Sequence, residues 1–363
     1  MATTRTNEFE PDYSIHPGEI LNETLEARGI RKTDFAGRCG ISLKTVSQII
    51  NSKAPVTPET ALQFERVLDV SADIWNNLDS QHKLHIARRN KLKKLESLKE
   101  WVNNFPISDL RRIKFLSDCR DRTLLADELL RFFGVANIDA WNKFYGKLAV
   151  AFRKSKSFES STESVAAWLR FAELTAEEIV TNEYNTRKFR NALYKIRSFT
   201  TKDPAYFQPR MTEICQKAGV IFLVLPSFPR TLLSGAAKWL TSRKVLIALT
   251  LRYKSDDQFW FSFFHEAGHI LLHEKKRIFL DSIKSNDDTL EYEANEFARD
   301  LLAPADEYQE FKKRGRFYKQ DILDFAKRIS IAPGIIVGLL QHEKLIDYKW
   351  HNDLKKKYEL VEN

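Results

Sequence analysis

The chain has 363 residues, more than one ordinary hydrophobic core accommodates, so two or three domains are expected. Its 43% hydrophobic and 29% charged residues are typical of a soluble globular protein, and its net charge of +9 suits contact with an acidic polymer. It has no apolar run near about 18 residues, no signal-peptide core and no CxxC pair among its three cysteines, which predicts a cytoplasmic protein without membrane contact, disulfides or a cysteine zinc knuckle.

The first 80 residues are predicted to form a five-helix DNA-binding domain of the helix-turn-helix type. Apolar residues recur at helical spacing, with Leu21 and Leu25 on one stripe and Val46 on a later one. Gly40 marks the tight turn between two short helices that must cross closely. The helix that follows this turn is the predicted recognition helix.

Ser42 is the predicted N-cap of that recognition helix. Gln48 suits bidentate reading of adenine, whereas the lysines and Arg38 suit contacts to phosphates. The alternative for each side chain is a solvated helix face. The predicted DNA-binding residues are Arg38, Ser42, Lys44, Thr45, Gln48 and Lys53.

This region resembles the HigA-type antitoxin branch of the Cro/C1 (XRE) repressors. The resemblance rests on the opening HPGE, which begins at His16, and on the late Trp75 in SADIWNNL. It implies binding of a double-stranded DNA operator by a homodimer.

Residues 81–160 are predicted to be a basic linker helix followed by a helical middle segment. The run after Lys83 contains Arg88, Arg89 and several lysines with little acid, so it is either a phosphate-contacting helix or a linker with a solvated face. A serine-rich stretch, 155–164, predicts a flexible connection.

Residues 161–350 are predicted to form a third domain with a small sheet. The apolar runs 220–225 and 244–249 predict buried strands. The segment 235–239 between them is expected to be an edge strand that binds a peptide backbone, or a purely structural strand.

His265 and His269 frame the motif HEAGH, which is the strongest chemical signal in the chain. Residues four apart share a helix face, so both imidazoles can bind one Zn²⁺ ion, and Glu266 can act as the general base on a water that zinc activates. The alternative is a helix with two unremarkable histidines. The aromatic and aliphatic residues around the motif predict a buried helix, and buried His and Glu need partners such as a metal.

A catalytic zinc needs a third protein ligand, and a second helix supplies the candidates. Lys275 stands where metzincins have their third histidine, which excludes that class. Glu291 is the favoured ligand because Asn295, one turn later, can hydrogen-bond a ligating histidine. Glu293 is the runner-up. Glu296 is a third candidate, and His273 is expected beside the ligands rather than among them.

The segments HEAGHILLH and EYEANEFARDLLAP together resemble the ImmA/IrrE group of zinc metallopeptidases. The resemblance implies metal ligands at His265 and His269, a third from a glutamate of EYEAN, and Glu266 as base. Members of that group are bacterial and phage proteins implicated in cleaving helix-turn-helix repressors. A repressor or antitoxin is therefore the expected protein substrate.

The end of the chain contains one more helical pair, 321–329 and 333–343, which is expected to pack on the HEAGH helix rather than to bind DNA. His342 and His351 follow and are expected to be exposed rather than catalytic. Residues 351–363 are predicted to form a basic tail.

The expected fold is α+β and mostly α, with a five-helix helix-turn-helix domain, a helical middle segment and a zincin-like domain. The expected function is a DNA-binding transcriptional regulator with a zinc-dependent endopeptidase that cleaves a repressor or antitoxin in response to a signal. The alternative is a non-enzymatic antitoxin or repressor whose peptidase-like domain senses a signal or binds a partner.

Overall fold

The computed structural model describes residues 13–154, 161–250, 255–273, 278–280 and 288–359. The expectation of an α+β fold that is mostly α is confirmed. The helices are α1 Pro17–Ala27, α2 Lys32–Cys39, α3 Leu43–Ile50, α4 Pro58–Leu68, α5 Ala72–Glu96, α6 Lys99–Val102, α7 Ile107–Arg112, α8 Arg122–Phe132, α9 Ile138–Lys154, α10 Thr162–Glu177, α11 Thr186–Arg197, α12 Pro204–Lys217, α13 Asp256–Leu272, α14 Asp288–Leu302, α15 Ala305–Lys313, α16 Lys319–Arg328 and α17 Pro333–His342; the strands are β1 Val220–Leu225, β2 Gly235–Thr241, β3 Lys244–Thr250 and β4 Ile278–Leu280.

The chain divides into two compact units, residues 1–99 and 100–363. In the first, α1 to α5 enclose a core that includes the fully buried Phe64 and Trp75. Gly40 ends α2 in the left-handed conformation, with φ of 68°, as the predicted tight turn requires. The five-helix prediction for this part of the chain is confirmed.

The HPGE segment fastens α1 to the end of α3. His16 accepts a hydrogen bond from the Gly18 amide at 2.9 Å and, with Glu19, completes a capping box. A Cβ atom at Gly18 would lie only 2.0 Å from the carbonyl oxygen of Ile49, the penultimate residue of α3. Glycine is therefore required where the two helices meet.

The middle segment is helical, as predicted, and its residues from 100 onward belong to the second unit. Aromatic rings from α6, from α9 and from the segments that follow α6 and α8 form its core, with ring centroids 4.6 to 5.8 Å apart. Residues 155–160 of the serine-rich stretch lie outside the described residues. The clustered rings are Trp101, Phe105, Phe133, Trp141 and Tyr145.

The sheet has the strand order β1-β3-β2-β4. β1 and β3 are parallel, whereas β2 is antiparallel to β3 and to β4. The expectation that 235–239 is an edge strand is wrong where Ala236–Lys238 pair with β4, because β4 covers that side of β2.

Helix α13 lies at the centre of the second unit, against β2, β3, α14 and α17. Its packing on α17 depends on glycines, since a Cβ atom at Gly334 or Gly338 would lie within 2.6 Å of the Asp256 or Asp257 carboxylate. The expected packing of the last helical pair on the HEAGH helix is confirmed for α17.

Residues of the predicted basic tail, 351–363, also pack on α13. The Asp256 amide donates to the carbonyl of Lys356 at 2.8 Å, and Lys355 Nζ lies 2.6 Å from the buried carboxylate of Asp257. The Trp260 indole N–H donates to the hydroxyl of Tyr358, which is itself buried. Within the described ranges, no helix is both long and apolar enough to cross a membrane.

Candidate functional site

Two histidines on one face of α13 form the start of the site. His265 and His269 are separated by one helical turn, and their Nε2 atoms lie 3.0 Å apart. Their side chains are 1% and 0% exposed. The aromatic and aliphatic residues around the motif bury this helix, as the sequence predicts.

Helix α14 brings a carboxylate to both rings. Glu291 Oε2 lies 3.3 Å from His265 Nε2, and Glu291 Oε1 lies 3.5 Å from His269 Nε2. One candidate ligand atom from each of the three residues lies within 4.8 Å of the others. Over the described part of the chain, this is the one group of three or more His, Cys, Asp or Glu side chains with metal-ligand spacing.

The Nδ1 atoms of both imidazoles also have hydrogen-bond partners. His265 Nδ1 lies 2.9 Å from Asn295 Oδ1, and His269 Nδ1 lies 3.0 Å from His273 Nδ1. Glu293 contacts His273 Nε2 at 3.2 Å, so the runner-up carboxylate lies beside His273 rather than beside the paired imidazoles. Such contacts at Nδ1 orient imidazoles so that Nε2 faces a metal.

Charge at the site favours ligands in their metal-binding forms. Burial opposes ionisation of Glu291, but hydrogen bonds from His265 and His269 outweigh it and lower the pKa of its carboxyl to about 2. Burial, together with His265 and His273, lowers the pKa of His269. An ionised carboxylate and a neutral imidazole are the species that bind Zn²⁺, so these residues fit a zinc ion.

Glu266 lies on the side of α13 that faces β2 and is fully buried. A Cβ atom built on Gly235 would lie 3.1 Å from Glu266 Oε1 and 2.6 Å from Leu249 Cδ2. Gly235 therefore makes room for the Glu266 carboxylate. The sequence pattern places Gly235 only within a predicted strand, although a glycine inside a strand often marks a close approach of this kind.

A cleft of about 290 Å³ opens onto His265 and Glu291. Phe261 on α13 and Ile335 and Leu339 on α17 form apolar walls. His342 also lines this cleft, whereas His351 Nε2 instead lies 3.0 Å from the carbonyl of Phe317. The remaining lining residues are Ser234, Asp257, Gln258, Ser262, Asn295 and Gly338.

The predicted DNA-binding residues lie in the first unit. Ser42 caps α3, since its hydroxyl accepts a hydrogen bond from the Thr45 amide at 3.0 Å. Lys44 is exposed on α3, and the Gln48 carbonyl accepts from the Lys53 amide at 2.7 Å. Arg38 is exposed near the end of α2.

Comparison with known proteins identifies both parts of the chain. The helix-turn-helix family matches residues 21–75, and the IrrE N-terminal-like domain family matches residues 235–336. The second match includes α13, which carries the HEAGH motif, and α14, which carries Glu291. The chain thus combines a helix-turn-helix domain with an IrrE-like peptidase domain.

The matched relatives align with the first part of the chain. An uncharacterized HTH-type transcriptional regulator, YddM of Escherichia coli K12, is 32% identical over 73 residues, which are 20% of this chain and 78% of that protein. Virulence-associated protein I of Dichelobacter nodosus is 30% identical over 22% of this chain and 73% of that protein. Through its N-terminal unit, the chain belongs to the helix-turn-helix family of transcriptional regulators.

Solved structures similar to this part of the chain include antitoxins. Pseudomonas aeruginosa antitoxin HigA, solved with the higBA promoter, is 32% identical and covers 23% of this chain and 94% of its own, with a TM-score of 0.22. An addiction module antidote protein of a HigA family from Coxiella burnetii is 28% identical and covers 23% of this chain and 91% of its own, with a TM-score of 0.21.

Proposed function

We propose that this protein is a DNA-binding transcriptional regulator with a zinc-dependent endopeptidase domain that cleaves a repressor or antitoxin in response to a signal. The observation that carries the peptidase half is the cluster of His265, His269 and Glu291 around one point, with Glu266 on the same buried helix. The substrate class comes from the resemblance to the ImmA/IrrE group.

The three side chains would hold Zn²⁺, which when bound supplies Lewis-acid activation of water and of the scissile carbonyl. Glu266 takes the proton from the attacking water on its carboxylate and passes it to the departing amide nitrogen. Asn295 and His273 hold the two imidazoles in their binding orientation. The apolar walls of the cleft position the substrate and exclude water from the reacting bond.

Elemental analysis of purified protein tests the metal site. We expect near one zinc per chain, with loss of the metal in His265→Ala and in Glu291→Ala. Glu293→Ala is the matched control, since this carboxylate lies on the same helix but beside His273, and it should keep its zinc. A chain that takes up none from excess zinc contradicts the site.

Cleavage is tested by incubating the protein with candidate repressors, including its own chain, and identifying fragments by mass spectrometry. Glu266→Gln should bind zinc but yield no fragments. If the cellular function survives this change yet requires the N-terminal domain, the non-enzymatic alternative replaces the peptidase.

The DNA-binding half of the proposal rests on the helix-turn-helix match and on the exposure of Lys44 on the capped helix α3. We propose that a homodimer binds a two-fold operator, with Gln48 and Thr45 at base edges and Arg38, Lys44 and Lys53 at phosphates. Binding sites selected from random duplexes should be palindromic. Gln48→Ala should relax preference at one base pair of each half-site, whereas Lys44→Ala should weaken all sequences about equally.

A further inference from the structure

A basic surface of the second unit lies on α11 and α12, outside the residues of both proposed sites. Residues 186–217 contain eight Lys and Arg and two Asp and Glu, a net charge of +6 out of +9 for the whole chain. Both acids have lysine partners, because Glu213 pairs with Lys217 and Asp203 lies 3.4 Å from Lys356. These two acids offset part of the positive charge, and a net charge of +6 remains over these residues.

An open cleft of about 580 Å³ lies between α11 and α12. Four exposed cations line it: Lys188 and Lys195 from α11, and Arg210 and Lys217 from α12. Its apolar lining residues include Phe199 and Ile214. The remaining lining residues are Asn191, Ala192, Tyr206, Glu213 and Ala218. We call this surface the α11–α12 groove.

The spacing of the cations indicates an extended anion rather than a single phosphate. Lys188 and Lys195 are seven residues apart, as are Arg210 and Lys217, so each pair lies on one helix face and spans about 10 Å at 1.5 Å per residue. Each strand of B-DNA carries one phosphate per ~3.4 Å of helix axis, so a span that runs parallel to this axis passes about three of them. Cations that bind one phosphate would instead converge on one point.

An aromatic ring with a cation on its face lies within the groove. The Arg210 guanidinium lies 3.8 Å from the ring centroid of Tyr206, and its Nη1 donates to the Tyr206 carbonyl at 2.9 Å. Tyr206 remains 43% exposed. This arrangement pre-orients a planar cation that suits a phosphodiester, and it reduces the entropy lost on binding.

We propose that the α11–α12 groove binds the phosphate backbone of double-stranded DNA without sequence preference, as a contact separate from the recognition helix. It follows that part of the DNA affinity of the full chain resides in the unit that carries the IrrE-like domain. The proposal is independent of whether that domain cleaves protein.

The first test compares two full-length variants of equal charge in salt titrations with a short duplex of arbitrary sequence. One replaces the four groove cations, Lys188, Lys195, Arg210 and Lys217, by Gln. The control replaces four exposed cations elsewhere in the same unit, Lys313, Arg314, Arg316 and Lys327, by Gln. Each lost phosphate contact lowers the slope of log K against log salt by about 0.9, so the groove variant should lose about two to four units of slope. Equal losses in both variants would overturn the proposal.

The second test locates the contact directly. A photo-crosslinking amino acid at Asn191, in the groove, should capture labelled duplex, whereas the same residue at the exposed Asp324 on α16 should not. Crosslinking that is absent at both positions, or equal at both, refutes the DNA contact. If labelled ATP is captured at position 191 and duplex is not, the groove binds a mononucleotide and the proposal is wrong.

Discussion

Replacement of Arg197 tests how α14, the helix that carries Glu291, is held in place. The Arg197 guanidinium, on α11, donates to the carbonyls of Leu301 at 2.7 Å and Leu302 at 3.0 Å, the last two residues of α14. It also donates to the carbonyl of Ile329, at the end of α16, at 2.8 Å. One side chain therefore satisfies carbonyls at two helix ends that have no acceptor role within their own helices.

Replacement of Arg197 by Met keeps most of the aliphatic volume and removes all three hydrogen bonds. Hydrogen bonds to a charged group contribute about 1.5–3 kcal/mol each, and the values are not additive in a shared network. Since the side chain is part-buried, we expect a loss of roughly 3–5 kcal/mol in the free energy of unfolding of the second unit, a large part of a typical ~5–15 kcal/mol. Zinc affinity should fall as well, because α14 also carries Glu291.

Urea unfolding followed by tryptophan fluorescence measures this change, since six of the seven tryptophans lie beyond residue 100. Arg190→Met is the matched control. Arg190 is an exposed arginine on the same helix, and its replacement should cost less than about 0.5 kcal/mol. A loss below about 1 kcal/mol for Arg197→Met, or an equal loss for both variants, would refute the role assigned to these three bonds.

Three further predictions concern positions where the structure leaves little room or buries a charge. Gly18→Ala should destabilise the N-terminal unit by about 1–3 kcal/mol and weaken operator binding, because the added methyl group meets the Ile49 carbonyl of α3. Gly37→Ala is the control for thermal unfolding: its methyl group has open space, so the melting temperature should stay unchanged or rise. Gly235→Ala should reduce proteolysis at least tenfold by displacing Glu266 while zinc content stays near wild type; loss of zinc and activity together would contradict the positioning role. Burial and the neighbouring Asp257 raise the pKa of Asp256 to about 6. Above about pH 4 the unfolded state releases this proton while the folded state still binds it, so the free energy of unfolding should fall by about 3 kcal/mol between pH 4 and pH 6. Asp256→Asn should remove this pH dependence in urea titrations.

Local sequence patterns were sufficient for much of the fold and for half of the candidate site. The spacing of His265 and His269 places them on one helix face wherever that helix lies, because the helical repeat is a local property. For the same reason, Gly40 and Ser42 indicated the turn and the start of α3 without knowledge of the rest of the chain.

The choice of carboxylate was not local. Glu291 and Glu293 lie on the same short helix, and the sequence only favoured the first of them. The packing of α14 on α13 decides which one approaches the imidazoles, since a different rotation of α14 would exchange their places.

Contacts between residues distant along the chain were decided by the tertiary structure alone. The approach of Gly235 to Glu266 and the pairing of β4 with β2 depend on how sheet and helices pack, which no local repeat encodes. The bonds from Arg197 to two helix ends join residues more than 100 positions apart. Short-range spacing determined which side chains share a face, but only the packing of those faces against each other determined which atoms meet.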